Sequence, residues 1–208
     1  MLYEYLIANY KPNEPIFLSD IELPNINNNN LRQMFKSLCD SHKIKRYDTG
    51  IYYIPSPSRL KGGVTLSPTT VAAYKYISRH GKIDGYYSGY TFANQLGITT
   101  QVPYTLEIVS NHSHSKYREI ILNGQRLILR KPKVEITKDN YQILQFLDLL
   151  KDIDLYADDL NETCRQTLIS YITKTNMIKS ELDKYIKEYP DKIYKFIYEM
   201  RLYDVLAQ

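Results

Sequence analysis

The sequence predicts an α+β fold, and three patterns along its 208 residues lead to that prediction. Near the N-terminus, a helical pattern is followed directly by a short hairpin pattern. In the middle, two strand patterns flank Asn123-Gly124, a dipeptide typical of tight hairpin turns. From about residue 137 onward, apolar residues recur at helical spacing. The chain is long enough for two small domains, each with its own core.

The helical pattern near the N-terminus has one apolar face and one polar face. Leu31, Met34, Phe35 and Leu38 stand at i, i+3, i+4 and i+7, so they turn to one side. Along with Asp40, the opposite side carries the amide and basic residues Asn29, Asn30, Arg32, Gln33 and Lys36. Amide side chains can pair with adenine, and arginine or lysine with guanine, in the major groove. This face therefore has the chemistry of a DNA-recognition helix.

A basic hairpin pattern follows this helix without a gap. Lys43, Lys45 and Arg46 alternate with apolar residues on the predicted outgoing strand. Residues 48–50 then supply a turn with a glycine, and residues 51–54 return as an aromatic strand. The alternative is a helix-and-hairpin packing module whose charged side chains are only solvated. The order of the parts favours DNA binding, because a wing follows the recognition helix in a winged helix-turn-helix.

The residues ahead of this helix predict the remaining parts of such a domain. Residues 1–10 have helical spacing, and Ser19 begins a capping-box pattern for a short positioning helix over residues 20–22. The Asn-rich segment 24–30 supplies the turn between helices. A winged helix-turn-helix is therefore predicted for residues 1–57.

Residues 58–208 predict a second domain, a mixed α/β domain with an antiparallel hairpin and C-terminal helices. It opens at residues 60–65, with strands to about residue 133 and helices from about residue 137. Two helices are expected before the main strands, one from Ser67-Pro68 to about Arg79 and one from Ser88 to Gly97. Strands are expected at 82–85, 102–109, 117–122 and 125–129. Four C-terminal helices are expected, beginning near Thr137, Leu160, Leu182 and Pro190.

Charge is distributed unevenly along the chain. Residues 1–60, 61–133 and 134–208 carry net charges of +1, +7 and −4, which sum to the overall +4. The basic middle segment is expected to meet phosphate or an acidic partner, whereas the acidic C-terminal third is not expected to lie along DNA. The alternative is that these charges are spread around a β-rich surface.

The sequence favours a cytoplasmic protein. It contains no apolar run of about 18 residues, so no membrane span is expected. Its N-terminus lacks the basic start and small-residue cleavage site of a signal peptide. Cys39 and Cys164 stand far apart without metal-ligand spacing, which fits a reducing compartment.

Candidate catalytic and metal-binding groups are few. His112 and His114 lack a third ligand nearby, so a solvated turn is expected there. The aspartates at 152, 154, 158 and 159 lack the glycine and terminal glutamate of a calcium loop, so a helix connection is expected. No nucleophile triad or phosphate loop is present. The sequence therefore predicts a non-enzymatic protein with no metal and no cofactor; an enzyme using the acidic cluster with a metal is a third hypothesis.

Three segments resemble a known family. They are GIYYIP at 50–55, SPTTVAAYKYISRHG at 67–81 and SGYTFANQLGITTQVP at 88–103, followed by an alternating strand and an Asn-Gly hairpin. Together they resemble the AbiEi-like antitoxins of type IV toxin–antitoxin systems, from about Phe17 to about Leu150. The Asn-rich turn at 27–30 departs from the less repetitive sequence of other members.

The resemblance implies an N-terminal winged helix-turn-helix that binds operator DNA and represses its own operon. It also implies a second domain that contributes to antitoxicity and DNA contact, and a cognate toxin that resembles a nucleotidyltransferase. The Gly-Ser motif with paired aspartates of those toxins is absent, which places this chain on the antitoxin side. The basic residues before Gly50-Ile51-Tyr52 match the family's wing.

The predicted function is therefore a DNA-binding antitoxin and transcriptional autorepressor in phage defence by abortive infection. Double-stranded operator DNA is the expected partner, with a cognate toxin as a second one. Groove contacts are assigned to Asn29, Asn30, Arg32, Gln33 and Lys36, where lysine can meet guanine or phosphate, and phosphate contacts to Lys43, Lys45 and Arg46. The alternative is a protein-interaction module whose basic middle binds and neutralises a toxin or phage component directly. In that case a stable complex forms without DNA.

Overall fold

The computed structural model describes residues 1–57 and 65–206 and has the mixed α+β composition that the sequence predicts. The chain forms two compact units: unit 1 is Met1–Tyr74 with Leu122–Gly124, and unit 2 is Lys75–Ile121 with Gln125–Gln208. The predicted domain boundary after residue 57 stays a prediction, and the predicted opening over residues 60–64 lies outside the described residues. No helix in the described ranges is long and apolar enough to cross a membrane.

Unit 1 begins with a helix, a short sheet and a second, longer helix. The elements are α1 (Leu2–Asn9), β1 (Ile16–Phe17), a 3-10 turn (Leu18–Asp20), α2 (Asn28–Asp40), β2 (Lys45–Asp48) and β3 (Ile51–Tyr53). The strands form an antiparallel sheet in the order β1-β3-β2. The predicted first helix, the predicted long helix and the hairpin that follows it are all present.

The bounds of α2 follow from local chemistry at its two ends. The Asn27 side chain accepts a hydrogen bond from the backbone N–H of Asn30 at 2.8 Å, so this asparagine is the N-cap. At the other end, His42 has a φ of 58°, and the Lys43 N–H bonds back to the Leu38 carbonyl. This left-handed residue and return bond end the helix as a glycine commonly does.

The core of unit 1 lies between α1, α2 and the sheet. Leu31 and Phe35 of α2 are buried against residues of α1, β1 and the start of the hairpin, including Leu6, Ile16 and Ile44. The predicted apolar face of α2 is thus the buried face. It is the burial of this face that fixes which side of α2 remains in solvent.

The predicted positioning helix after Ser19 is wrong. Its place is taken by the single 3-10 turn over residues 18–20, whose N-cap is Phe17 and whose ends are extended. Ile21, predicted as helical, is extended (φ −94°, ψ 108°) and buried. The Ser19 hydroxyl bonds to the neighbouring Asp20 carboxylate instead of capping a helix. Burial of Ile21 against the core outweighs the local capping pattern.

Among the described residues, the middle of the chain contains eight further elements before the C-terminal helices. They are α3 (Pro68–Tyr76), β4 (Ser78–Arg79), β5 (Lys82–Ile83), β6 (Gly85–Tyr87), α4 (Gly89–Leu96), β7 (Leu106–Ser110), β8 (Arg118–Leu122) and β9 (Gln125–Arg130). The Ser67 hydroxyl caps α3 through the Thr70 N–H at 3.0 Å, and Gly97 ends α4 with a φ of 77°. The predicted start at Ser67-Pro68 and the predicted end at Gly97 are both confirmed.

Two predicted bounds in this region are wrong. The helix predicted to reach Arg79 ends at Tyr76, because residues 78–79 pair with residues 82–83 across a turn in which His80 and Gly81 both have positive φ. The strand predicted from Val102 begins at Leu106. Val102 itself is exposed and pairs with no strand in the described parts of the chain.

The main sheet of unit 2 has the strand order β6-β7-β9-β8. Strands β6 and β7 are antiparallel, whereas β7 and β9 are parallel, with Val109 opposite Arg130. The predicted hairpin is confirmed: Asn123 and Gly124 have φ values of 45° and 84°, which suits a tight turn between β8 and β9. The strand predicted at 102–109 alternates between apolar and polar residues, yet all five residues of β7 are buried.

The rest of unit 2 is helical, as predicted. The elements are α5 (Tyr141–Lys151), α6 (Ile153–Tyr156), α7 (Glu162–Lys174), α8 (Lys179–Ile186), α9 (Lys192–Glu199) and α10 (Tyr203–Leu206). Residues 143–150 of α5 are all buried, so α5 is the central helix of this unit. The N-caps of α5 and α7 are Asn140 and Asn161, so the start predicted near Thr137 is wrong, because α5 begins at Tyr141.

Candidate nucleic-acid interface

The exposed face of α2 carries five of the eight predicted DNA-contact residues. Asn29, Asn30, Arg32, Gln33 and Lys36 are all exposed, on the side of the helix away from buried Leu31 and Phe35. The one acidic residue of α2 is Asp40, at its C-terminal end. Helix α2 is a rigid element that therefore presents two positive charges together with hydrogen-bond donors and acceptors for base edges.

An aromatic contact joins this helix to the hairpin. The Phe35 and Tyr52 ring centroids are 4.6 Å apart, at an interplanar angle of 43°. Tyr52 of β3 lies opposite Arg46 of β2 in the antiparallel register. The position of the basic strand relative to α2 is thus fixed through a buried ring.

Arg46 is held by the turn of its own hairpin. Its Nε donates to the Asp48 carbonyl oxygen at 3.2 Å, and one Nη donates to the Thr49 hydroxyl at 3.1 Å. Burial is the main cause that raises the pKa of the Cys39 thiol, and the Asp40 carboxylate adds to it. The positive charge of Arg46 acts in the opposite direction and lowers this pKa. The guanidinium is thus close enough to the C-terminal turn of α2 to act on it electrostatically, and it is exposed.

The two remaining predicted contact residues differ in setting. Lys45 is the first residue of β2 and is half-buried. Lys43 precedes the strand, so its predicted place on the outgoing strand is wrong; it lies in the turn that ends α2. Its Nζ lies 5.1 Å from the centroid of the Tyr3 ring of α1, and the side chain is exposed. Lys43 lies there because the chain turns at His42, directly after the end of α2, before the strand begins.

Comparison with known families covers most of the chain. A family model described as a family of unknown function, DUF6088, matches residues 7–178. The chain belongs to the DUF6088 family. No curated protein matches it. The matched range includes α2, the hairpin and the main sheet of unit 2, so all eight predicted contact residues of this DUF6088 protein lie inside the family region.

Two of the residues weighed as metal ligands, His112 and Asp158, have structural partners in this DUF6088 protein. A ring nitrogen of His112 lies 3.3 Å from the Asp84 carboxylate, which also pairs with Lys82 at 2.9 Å. The Asp158 carboxylate accepts hydrogen bonds from the Thr99 hydroxyl and the Thr100 N–H, each at 2.7 Å. In the described ranges, no group of three or more His, Cys, Asp or Glu side chains is placed to hold a metal ion.

Sequence reasoning missed a set of buried charged residues in unit 2. Glu107 is 7% exposed on β7 and accepts a hydrogen bond from Arg130 of β9 at 2.8 Å. Asp148, on α5, is 9% exposed and accepts a 2.8 Å hydrogen bond from the Tyr86 hydroxyl. The pKa of Tyr86 is raised well above its usual range, mainly by burial and in addition by the negative charge of Asp148.

The sequence carried one signal for this set. Glu107 interrupts the apolar strand segment LEIVS, and Arg130 ends the segment RLILR. A charged residue in such a place is either solvent-facing or paired in the core. The choice between these outcomes depends on β7 pairing with β9. That parallel pairing brings residues 23 positions apart into contact and leaves no local trace.

Proposed function

We propose that this DUF6088 protein is a DNA-binding antitoxin that represses its own toxin–antitoxin operon without catalysis. The observation that carries the DNA-binding part is the exposed Asn, Arg, Gln and Lys face of α2, followed directly by a basic hairpin. The element order α1, β1, 3-10 turn, α2, β2, β3 and the sheet order β1-β3-β2 support a winged helix-turn-helix with a reduced positioning helix.

In this mechanism α2 enters the major groove and the hairpin lies against the neighbouring backbone. Arg32 and the amide side chains contact base edges, because their donor and acceptor patterns match guanine and adenine. Lys36, Lys43, Lys45 and Arg46 neutralise phosphates, which gives affinity but little sequence preference. The hydrogen bonds from Arg46 to its turn pre-organise the tip of the wing.

The toxin–antitoxin setting rests on the sequence resemblance to AbiEi-like antitoxins. It adds a cytoplasmic location, a role in phage defence, and a nucleotidyltransferase-like toxin as the cognate partner. The net charge of +7 over residues 61–133 supports a contribution from the middle of the chain to the DNA footprint or to an acidic partner.

The test is binding of the purified full-length protein to its own upstream DNA and to a scrambled duplex of equal length. Fluorescence anisotropy across a salt series measures both affinity and its salt dependence. The proposal expects preference for the upstream DNA and a salt slope corresponding to about four to six phosphates. The doubly reversed variant Arg32→Glu, Lys36→Glu should lose this binding, while Lys11→Glu, an exposed reversal elsewhere in unit 1, should retain it. Equal affinity of both variants would overturn the proposal.

A second candidate function is direct neutralisation of a protein partner through unit 2. The observation that favours it is an exposed apolar set: Val102, Tyr104 and Ile121 are 84%, 76% and 71% exposed. Ile121 belongs to β8, which is an edge strand of the sheet in the described part of the chain. Exposed edges with apolar side chains are common partner sites. Co-purification with the neighbouring gene product, lost in Ile121→Lys but kept in Leu155→Lys, would support this function over DNA binding.

A further inference from the structure

Unit 2 contains a cavity of about 360 Å³ beside its parallel strand pair. Its apolar wall is formed by Val109, near the end of β7, and by Pro132, just after β9. Val109 and Arg130 are opposite each other in the parallel register, so the cavity lies at the carboxyl ends of β7 and β9. Crevices at the carboxyl ends of parallel strands are the usual ligand sites of α/β sheets. The volume is that of a small-molecule site.

Four cations line this cavity: Lys116, Arg130, Lys131 and Lys133. The Lys131 N–H donates to the Ser115 carbonyl oxygen at 3.1 Å, which joins the segment before β8 to the segment after β9. This bond holds the backbone segments that carry Lys116 and Lys131 next to each other. Convergence of several positive charges in a concave site raises the local concentration of an anionic ligand.

Within the part of the chain that the structure describes, two of the four cations have partners and two do not. Arg130 pairs with Glu107, and the Lys133 Nζ donates to the Glu188 carbonyl oxygen at 2.5 Å while it lies over the Tyr189 ring. Neither Lys116 nor Lys131 makes an ion pair or side-chain hydrogen bond within the described residues, and both are exposed. Their charges are therefore available to a ligand.

A buried carboxyl group completes the lining. Asp148 is 9% exposed, and its Oδ2 accepts the hydrogen bond from the Tyr86 hydroxyl. Its Oδ1 lies 3.6 Å from the Lys151 Nζ, which is long for a hydrogen bond. This oxygen can therefore accept a hydrogen bond from a hydroxyl or amino group in the cavity. A cavity lined by both cations and an acidic group is suited to a ligand that is anionic at one end and a hydrogen-bond donor at the other.

We propose that this cavity binds a phosphorylated small molecule of the sugar-phosphate or nucleotide class. The phosphate lies between Lys116 and Lys131, and a hydroxyl or amino group of the same molecule donates to Asp148. A small ligand fits better than a duplex, because a concave site of this size admits a sugar phosphate. A nucleic-acid backbone brought to Asp148 would place a phosphate beside a carboxyl group, where the two like charges repel.

The test is isothermal titration calorimetry of the full-length protein at low salt with ribose 5-phosphate and adenosine 5′-monophosphate. Ribose and adenosine are the unphosphorylated controls. One-to-one binding of either phosphorylated probe, with much weaker binding of its control, supports the proposal. Binding of both assigns the site to sugar phosphates, and binding of adenosine 5′-monophosphate alone assigns it to nucleotides.

Variants locate the binding in the cavity. Lys116→Ala and Lys131→Ala should each weaken binding roughly tenfold or more, because a charge-assisted hydrogen bond is lost. Lys138→Ala, an exposed lysine of unit 2 outside the cavity, should bind as the unchanged protein does. Thermal melting checks that each variant is folded, and both target side chains are exposed, so the core is untouched.

Three results would overturn the proposal. The first is that neither phosphorylated probe binds at millimolar concentration. The second is that the Lys116 and Lys131 variants bind the probes as tightly as Lys138→Ala does. The third is that the probes fail while duplex DNA binds and loses affinity in Lys131→Ala, which assigns these cations to nucleic acid. The first two results involve no DNA, so they leave the DNA-binding proposal unaffected; in the third, the Arg32→Glu, Lys36→Glu variant shows whether α2 takes part in the duplex binding.

Discussion

The Phe35 ring of α2 and the Tyr52 ring of β3 are in contact, with 4.6 Å between their centroids. Phe35 is fully buried, and Tyr52 is half-buried between its neighbours Ile16 and Arg46 in the sheet. One aromatic pair therefore links the proposed recognition helix to the proposed wing. We therefore expect removal of either ring to loosen both parts of the proposed DNA surface.

Replacing Tyr52 with alanine should destabilise unit 1 and weaken DNA binding together. We expect the free energy of unfolding to fall by about 1 to 3 kcal/mol, from lost aromatic packing and lost apolar burial. Tyr52→Phe is the matched control, since it retains the ring and removes only the hydroxyl. Urea denaturation measures the change. Similar stability of the alanine and phenylalanine variants would show that the ring contact contributes little.

The N-cap of α2 gives a second prediction, because it stands in a run of chemically identical residues. Asn27→Ala should lower the free energy of unfolding by about 1 kcal/mol, since the Asn30 N–H loses its acceptor. Asn28→Ala changes the neighbouring asparagine, whose side chain is not the cap, and should change stability by less than about 0.5 kcal/mol. Urea denaturation of the two variants tests this. Equal effects would mean that the cap bond adds no net stability.

Much of unit 1 was predictable from the sequence because its determinants are local. The spacing from Leu31 to Leu38 and the turn at Gly50 each fix an element within a few residues. The prediction of a positioning helix was wrong because its determinant is not local. Ser19 and Glu22 offer a capping pattern, but the buried position of Ile21 requires extended backbone, and burial contributes more than one cap.

The buried charged set of unit 2 was not predictable by the same means. The residues next to Glu107 indicate a half-exposed strand with Glu107 on its polar side. The residues next to Asp148 indicate an amphipathic helix with Asp148 on its polar side. Both are buried because β7 lies inside the sheet and α5 is central to its unit. Those facts depend on contacts between distant segments, which a single sequence does not specify.

Arg32 should contribute sequence preference, and Lys36 should contribute affinity without preference. Arg32→Ala is expected to cost about 1 to 3 kcal/mol in binding to the upstream DNA and to leave binding to a scrambled duplex less affected. Lys36→Ala should weaken both duplexes similarly and reduce the salt slope by about one. Anisotropy titrations with both duplexes separate the two effects. An Arg32 variant that weakens both duplexes equally would assign this residue to phosphate.

Gly89 is a position where only glycine fits, for two independent reasons. Its φ is 56°, and a Cβ atom there would lie 2.3 Å from the Glu107 carboxylate. Gly89→Ala should therefore destabilise the protein by more than the roughly 1 to 2 kcal/mol expected from backbone strain alone. Gly81→Ala is the control, because Gly81 has a φ of 80° with open space around it. Thermal denaturation that ranks the two variants equally would show that Glu107 moves aside without cost.

The pH dependence of stability should change in Asp148→Asn. Burial raises the pKa of this carboxyl group above its ordinary value of 3.8. The folded state therefore binds this proton more tightly than the unfolded state does, so the stability that Asp148 contributes is fully present below pH 3.8 and is lost as the pH rises through the folded-state pKa. Asparagine does not titrate and can still accept the Tyr86 hydrogen bond. The variant should lose this decline with rising pH, as measured by urea denaturation at a series of pH values.

Asp158→Asn is the control of opposite sign. Hydrogen bonds from the Thr99 hydroxyl and the Thr100 N–H lower the pKa of Asp158, so its contribution to stability is present above pH 3.8 and is lost as the pH falls through the folded-state pKa. Its replacement should lower stability at neutral pH and leave acid stability unchanged. Because both variants remove one carboxylate, a shared effect of net charge would move them in the same direction. Opposite shifts would assign each effect to its own surroundings, the buried site of Asp148 and the hydrogen bonds of Asp158, whereas parallel shifts would contradict both assignments.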